Sequence, residues 1–424
     1  MLALLTALNL LNFVDRYVLA AVLPKVRDEL GLSNFVSGLM ATVFLAGYFL
    51  TSPVFGYLAD RGKRTWLITF GIAVWSVATI ASGLAHSAAT MLFWRAVVGV
   101  GEASFTAIAP TLIDDVSPKD KKGRNLAIFF VAQPVGAALG YLIGGAIEHK
   151  YGWRYSFFLA GGPGLLLALT CLVIQEPERG ERDKPNVLGA FKQLFAAVQY
   201  RRALLGYCAY TFAIGGFSYW APTFLSDNFH VPLATANFRF GLLTVIGGAI
   251  GTFVGGVLSD RMQKKATATL DQAEAKKAGE AGYRASADMP TEENPLKAKL
   301  EVQALLKLCA IGSVIGAPLA AFCFLSPTSN GFFGGVLFCE TALFLSTSPI
   351  NAVILKSVPQ NLRASAMALA IFSIHFFGDL WSPPLVGYLA DHMPPRIAML
   401  SLAVAIGLSG YLWWPRRREA ETGA

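Results

Sequence analysis

The chain has 424 residues, of which 54% are hydrophobic and 15% charged, and its formal net charge is +8. A soluble domain carries about 25% charged residues, and a mean hydropathy of +0.51 excludes an ordinary water-soluble globule. Apolar stretches of roughly 20 residues recur, the length that crosses a bilayer as a helix, and the alternating ten-residue strands of a membrane barrel are absent.

Twelve spans are predicted, at about 1–24, 36–58, 65–86, 89–114, 123–147, 155–175, 202–225, 238–258, 303–325, 331–356, 363–390 and 396–415. The reading is an all-α membrane protein built from two pseudo-symmetric six-helix bundles, 1–175 and 202–415. A polar linker at 176–201, a loop or helix at 262–300 and a tail at 416–424 lie outside the bilayer. No n-region or cleavage site precedes the first span, so no removable signal peptide is expected. Of the 35 Lys and Arg, 26 fall in alternate loops and the tail, and six in the opposite loops: Lys25, Arg27, Lys150, Arg154, Arg239 and Arg396. The positive-inside rule then places both termini in the cytoplasm of an inner-membrane protein.

Membrane-embedded ionisable groups are costly, so each is informative. Span 1 carries Asn12, Asp15, Arg16 and Tyr17. The loop after span 2 reads Gly56-Tyr57-Leu58-Ala59-Asp60-Arg61, followed by Arg64. Span 4 carries Arg95 and Glu102, seven apart and therefore on one helix face. Arg16 lies about eight residues, or roughly 12 Å, from the outer end of its span, and Arg95 about six, or roughly 9 Å. The two charged pairs thus overlap in level near the midplane. Gly136, Gly140, Gly144 and Gly145 give span 5 the small-residue spacing of close helix packing, and Pro134 can kink it.

The second half repeats the loop sentence. Gly256-Val257-Leu258-Ser259-Asp260-Arg261 stands 200 positions after its first copy, in the same topological slot, with Lys264 matching Arg64. Parallel halves related by an axis along the membrane normal are built this way. Span 8 carries Gly247, Gly251 and Gly255. In the following loop, Ala266 to Lys277 is expected to be helical and Asn294-Pro295 to start a second helix; a solvated tether is the alternative. Glu340 lies in span 10. His375, Asp379 and Ser382 share one face of span 11 at i, i+4, i+7. Pro349 and Pro383 can kink spans 10 and 11. The five cysteines lie singly in apolar runs and read as small hydrophobes. Trp413 and Trp414 before Arg416, Arg417 and Arg418 form an interfacial anchor.

A carboxylate beside a cation in low dielectric can alternate between paired and protonated states, and an Arg fork suits a phosphate or carboxylate. Asp15, Glu102 and Asp379 are therefore the candidate proton-coupling groups. Arg16, Arg95, Asn12, Tyr17, Glu340, His375 and Ser382 are the candidate substrate-binding or gating residues of a central cavity. A static ion-pair network joining spans 1 and 4 is the alternative, and for His375 and Asp379 a helix-to-helix hydrogen bond. Gly56, Asp60, Arg61, Arg64, Gly256, Asp260 and Arg261 lie at the cytoplasmic edge. There a carboxylate can cap a helix or pair with a basic residue at the end of span 4, and the motif reads as a gate.

No nucleotide-binding loop, HExxH or G-x-S-x-G is present, so neither an ATP-driven pump nor an enzyme is expected. No cofactor, metal or nucleic-acid partner is expected. The partners are the bilayer, protons and a small anionic or amphipathic substrate, the energy source is a proton gradient, and the chain is read as a monomer.

The loop sentence and Arg95-to-Glu102 resemble the major facilitator superfamily, with Lys63 and Thr65 departing from the usual loop pattern. More narrowly, Asn12-Phe13-Val14-Asp15-Arg16-Tyr17, Glu102-Ala103, and His375 through Gly378-Asp379 to Ser382-Pro383 resemble Spinster-type transporters. That resemblance implies the major facilitator fold and alternating access. It also implies a lysophospholipid or phosphorylated sphingoid-base substrate, exported with proton coupling. A symporter of small organic anions is the competing reading, and a non-transporting sensor the remote one.

Overall fold

A computed structural model describes residues 1–118, 121–171, 176, 193–280, 295–359 and 362–415. The long elements are α1 (Leu2–Leu30), α2 (Asn34–Arg61), α3 (Arg64–Gly83), α4 (Ala88–Val116), α5 (Lys122–Tyr151), α6 (Trp153–Cys171), α7 (Val198–Phe229), α8 (Leu233–Glu280), α9 (Pro295–Leu325), α10 (Ser329–Phe344), α11 (Thr347–Lys356), α12 (Arg363–Ile374), α13 (Ser382–His392) and α14 (Pro395–Trp413). Counting α10 with α11 and α12 with α13 as single crossings, these elements make twelve crossings. Ten of them are both long and apolar enough to span a membrane by composition alone; α6 and α7 complete the set.

The helices outrun the hydropathy windows because caps, not polarity, end them. α1 continues to Leu30 and stops where Gly31 adopts φ 62°, donating its N–H to the Arg27 carbonyl, a left-handed turn that glycine enters without steric cost. Ser33 then opens α2 by accepting from Val36 N–H, and Ser87 with Thr90 forms a capping box for α4. α7 begins at Val198, inside the expected linker, and 177–192 lie outside the described residues. α8 runs unbroken to Glu280, so the helix expected over Ala266–Lys277 is a continuation of the span, and α9 does start at Pro295. Residues 281–294 and the tail from Arg416 lie outside the described residues.

Two crossings expected to be continuous are broken. α10 yields to α11 at Leu345–Ser346, three residues before Pro349. α12 passes through a π-helical stretch, His375–Asp379, before α13, where Leu380 N–H reaches back five residues to the His375 carbonyl at 3.1 Å. Pro383 and Pro384 lie in the first turn after this break and supply no N–H of their own. Pro134, by contrast, lies within an unbroken α5.

Small residues set the helix spacing. A Cβ on Gly47 would meet the Ala96 carbonyl, and one on Gly99 the Phe44 carbonyl, so α2 and α4 touch backbone to backbone. α8 and α10 repeat this in the second half, with Gly251 against Thr341 and Gly255 against Leu345. The span 5 glycines do as their spacing predicts: Gly136, Gly140 and Gly144 seat α5 on Leu10, Tyr17 and Ala21 of α1.

The halves meet at one end. Asn237 donates to the Ala21 carbonyl at 2.8 Å, Tyr141 to Ser218 at 2.5 Å, Tyr219 to Ser37 at 2.6 Å and Thr42 to Leu380 at 2.7 Å. Arg27 and Asp227 pair at 2.7 Å, and Asp391 receives Asn34 and Phe35 at 2.9 Å. All lie toward the loops poor in Lys and Arg. Toward the basic loops the first half keeps a separate core, built on Leu5, Leu8, Ile68, Phe105, Leu112 and Phe129. α2 presents exposed Leu50, Val54 and Tyr57 there. The bundles are closed at the end poor in Lys and Arg and part toward the basic end.

Candidate functional site

Four charges buried in the first bundle meet across two helices. Asp15 and Arg16 are consecutive on α1; Arg95 and Glu102 lie two turns apart on α4. They pair crosswise: Arg16 Nε donates to Glu102 Oε2 at 2.7 Å, and Arg95 Nη1 approaches Asp15 Oδ1 at 3.7 Å. The overlap in level expected from the sequence holds, but each partner comes from the other helix and not from the same one. Asp15, Arg95 and Glu102 are buried, while the Arg16 side chain keeps 20% of its surface. Of the four, Arg16 is the one with an appreciably exposed side chain, which separates its place from that of Arg95.

Removing charge from water costs several kcal/mol per ion, and an ion pair offsets this only with good geometry and further hydrogen bonds. Here the satisfaction is incomplete: Asp15 Oδ1, Glu102 Oε1, and Arg95 Nε and Nη1 make no hydrogen bond. The aromatic surroundings add support. The Arg16 guanidinium lies 4.9 Å from the Phe13 ring, 5.1 Å from Phe44 and 5.4 Å from Tyr48, and the Arg95 guanidinium also lies 5.1 Å from the Phe44 ring. Thr106, one turn from Glu102, donates to the Tyr48 hydroxyl at 2.8 Å. Thr79 of α3 donates to Asp15 Oδ2. Phe44, Tyr48, Thr79 and Thr106 escape sequence reasoning because Phe, Tyr and Thr are unremarked in any apolar span.

The second bundle contributes His375 and Asp379, joined at 2.9 Å where the helix is π-helical. Their bond stays within one crossing, so the rival helix-to-helix bond is not the one formed. Asp379 and Ser382 both lie against Gly215 of α7, which preserves the expected shared face across the break. Phe49 of α2 approaches the His375 ring at 5.9 Å and Phe372 at 5.9 Å, linking the halves at the inner edge of their contact. Ser382 Oγ and both side-chain polar atoms of Asn12 are buried without a hydrogen bond. Tyr17 stacks edge-on to Tyr141 at 5.2 Å. Glu340 is 2% exposed and packs on Gly247, apart from both charge clusters.

Of the expected loop residues, Arg64 makes the buried ion pairs. Asp60 and Arg61 are exposed, and Arg61 stacks 3.7 Å from the Tyr57 ring. Arg64 is the buried member, bonding Asp115 at the end of α4 and Glu176 beyond α6, the latter at 2.8 Å. Glu176 also accepts the Thr65 N–H at 3.1 Å, so it caps α3 in the role expected of Asp60, and the basic and acidic ends of the expected pair with α4 are exchanged. In the second half Asp260 and Arg261 are exposed, and Lys356 of α11 instead bonds Gln263 and Glu301. No atom lies within 4 Å of a Cβ placed on Gly56 or Gly256, so packing does not demand glycine at either.

Burial alone would raise the Glu176 carboxyl, but the hydrogen bonds from Arg64 and Thr65 outweigh it and hold the group below its ordinary range. The sign follows: the clamp's contribution is present above the ordinary carboxylate pKa and is lost as pH falls through the depressed one. Spin labels on α3 and the 176 segment are expected to stay ordered at neutral pH and loosen only in acid, and Glu176→Gln to loosen them at every pH.

Two bundles of six crossings that meet at one end, the first with paired charges buried inside it, define a multi-pass membrane transporter. The Major Facilitator Superfamily matches residues 5–271. Protein spinster of Drosophila melanogaster is 30% identical over 90% of this chain, which spans 60% of the fly protein's length. An Arabidopsis thaliana relative named probable sphingolipid transporter spinster homolog 2 is 30% identical over 96% of this chain and 84% of its own. The chain belongs to the Major Facilitator Superfamily and, within it, to the Spinster family. The fold is that of a crystal structure of a bacterial homolog to the human lysosomal transporter Spinster, inward-facing and unoccupied: TM-score 0.80, 22% identity, 97% of this chain and 95% of that one.

Proposed function

We propose that this chain is a proton-coupled, alternating-access carrier of an amphipathic anion of the lysophospholipid or phosphorylated sphingoid type. The observation that carries the reading is the Arg16–Glu102 pair, a fully buried carboxylate bonded to a guanidinium that keeps 20% of its side-chain surface exposed. With Glu102 ionised, Arg16 is occupied. With Glu102 protonated, the guanidinium is released into its Phe13, Phe44 and Tyr48 surround and is free to hold a substrate phosphate by two hydrogen bonds. Asp15, and Asp379 beside His375, are the further carboxylates able to carry coupling protons. Asn12, Glu340 and Ser382, buried in this state, and Tyr17 are the further polar groups proposed to meet the rest of the substrate.

An amphipathic substrate is favoured by the walls. Phe372 and Phe376 stack at 5.4 Å, and Phe376 and Phe377 are exposed, beside the polar His375–Asp379 pair. Among the described residues no ring contact or hydrogen bond joins α5 to α8 on the basic side of Ala138, where Ile128, Val131, Val135, Val245 and Ile246 are exposed, leaving an apolar seam for an acyl chain. With 26 of 35 Lys and Arg on that side, the open end faces the cytoplasm, both termini lie there, and the chain sits in the inner membrane as a monomer.

The test is flux in proteoliposomes under an imposed pH gradient. Labelled lysophospholipid is expected to move, faster with the gradient, and to be displaced by excess unlabelled lipid but not by sugar acids. Displacement by sugar acids alone would replace this reading with the small-anion symporter, and no flux of either would leave a sensor.

A further inference from the structure

Thr79 sits one turn from the C-terminal end of α3 with no exposed surface. Serine and threonine in helices commonly turn the hydroxyl back on a carbonyl of their own helix, as Thr51, Ser52, Thr69, Ser82 and Thr341 do here. Thr79 instead spends its hydrogen on Asp15 Oδ2, across the bundle. This is the one hydrogen bond Asp15 makes among the described residues, and it leaves Oδ1 turned to Arg95 Nη1 at 3.7 Å. The charges that face Asp15 are Arg95, its chain neighbour Arg16 and, behind that, Glu102. The packed stretches of α2 (34–59), α3 (65–83), α5 (125–147) and α6 (155–171) contain no charged residue. Among the described residues the Glu102 carboxylate has no hydroxyl donor; the hydrogen bond it accepts is from Arg16.

We propose that Thr79 is a positioning residue that keeps Asp15 ionised as the standing counter-ion of Arg95, so that the coupling proton goes to Glu102 first. A hydroxyl hydrogen given to a carboxylate favours the ionised form. Both pairs lie within the first bundle and so keep their frame as the halves rock, but Asp15 and Arg95 are buried whereas Arg16 keeps 20% of its side-chain surface. The division of labour follows: one pair is a fixed frame, and the other is the exchanging site. This rests on the proton-coupling reading above.

The test compares wild type, Thr79→Val, Thr79→Ala and Thr79→Ser, purified and reconstituted. Infrared difference titration with isotope-labelled aspartate reads the Asp15 carboxyl directly, with Asp15→Asn assigning the band. Losing one hydrogen bond to the charged form is expected to raise the pH at which Asp15 takes a proton by about one unit, a tenfold gain in proton affinity, in both the Val and Ala variants. Ser restores the wild-type titration. The pH optimum of lipid exchange is expected to move upward in the same variants. Identical Asp15 titration in wild type and Thr79→Val, or no rescue by Ser, overturns the proposal. A wild type whose transport ignores pH sinks the coupling reading, and with it the proton order. That failure is told apart from the first because the carboxyl band is read without transport.

Discussion

Glu102→Gln is expected to exchange substrate across the membrane while losing every response to a pH gradient. The amide mimics the protonated acid in size and neutrality, so Arg16 is permanently released and substrate binding continues. What is lost is the alternation between a paired and an unpaired guanidinium, the step that ties proton movement to substrate movement. Counterflow assays, which need no gradient, should therefore run near the wild-type rate, and uphill accumulation should vanish. Arg16→Met is the harsher change. It strands Glu102, which has no other hydrogen bond, and breaking one partner out of a buried pair costs about 3–5 kcal/mol. The double variant Arg16→Met/Glu102→Gln is expected to recover most of that stability without recovering transport, and thermal unfolding in detergent reads the difference. A Glu102→Gln protein that still accumulates lysophospholipid against its gradient removes Glu102 from the coupling step.

Removing the outer contacts is expected to tip the resting population toward the outward-open state. Asp391, on α13 of the second bundle, accepts the Asn34 and Phe35 backbone N–H groups and the Asn34 amide, each at 2.9 Å. The N-terminus of α2 is thus capped by a carboxylate from the opposite bundle, and the cap exists only while that end is shut. Arg27 adds a two-pronged bond to Asp227, at 2.7 and 3.3 Å. A helix cap contributes about 0.5–2 kcal/mol and an exposed ion pair at most about 1, so Asp391→Ala with Arg27→Ala forfeits roughly 2 kcal/mol, about a thirtyfold change in the ratio of states. A cysteine at Ser37, now buried, is expected to become labelled from the outer side in that background. Labelling no faster than in the parent means the outer end is held by its apolar packing alone.

The sequence carries the fold well because hydrocarbon permits few alternatives: each apolar run has to close its own backbone hydrogen bonds, and the repeated loop motif reveals the two halves. The glycine spacing in α5 and α8 is legible for the same reason, since only close approach makes small residues useful at every fourth position. The breaks at Leu345–Ser346 and Leu380–Trp381 are less legible. Pro349 and Pro383 mark a weakness, but not whether the chain bends or re-registers, and the π-helical turn depends on how Gly378 and Asp379 seat against Cys208, Thr211 and Gly215 of α7. The buried charges announce themselves by their cost. Their partners do not, because pairing depends on how α1 is rotated against α4, a tertiary quantity. The loop motif misleads: Arg64 stands out no more than Arg61, and only the path of the chain after α6, which brings Glu176 back beneath α3, singles it out.

The uninterrupted run of α8 past the bilayer has a mechanical meaning. From Asp260 to Glu280 the helix extends about 30 Å as one rod at 1.5 Å per residue, rooted in the second bundle. A tilt of about 15°, of the kind subunits make in allosteric proteins, sweeps its tip through roughly 8 Å. Shifts of one or two ångströms deep in the membrane are thereby written large in the aqueous phase, where a dye attached to the rod can follow each stroke of the carrier.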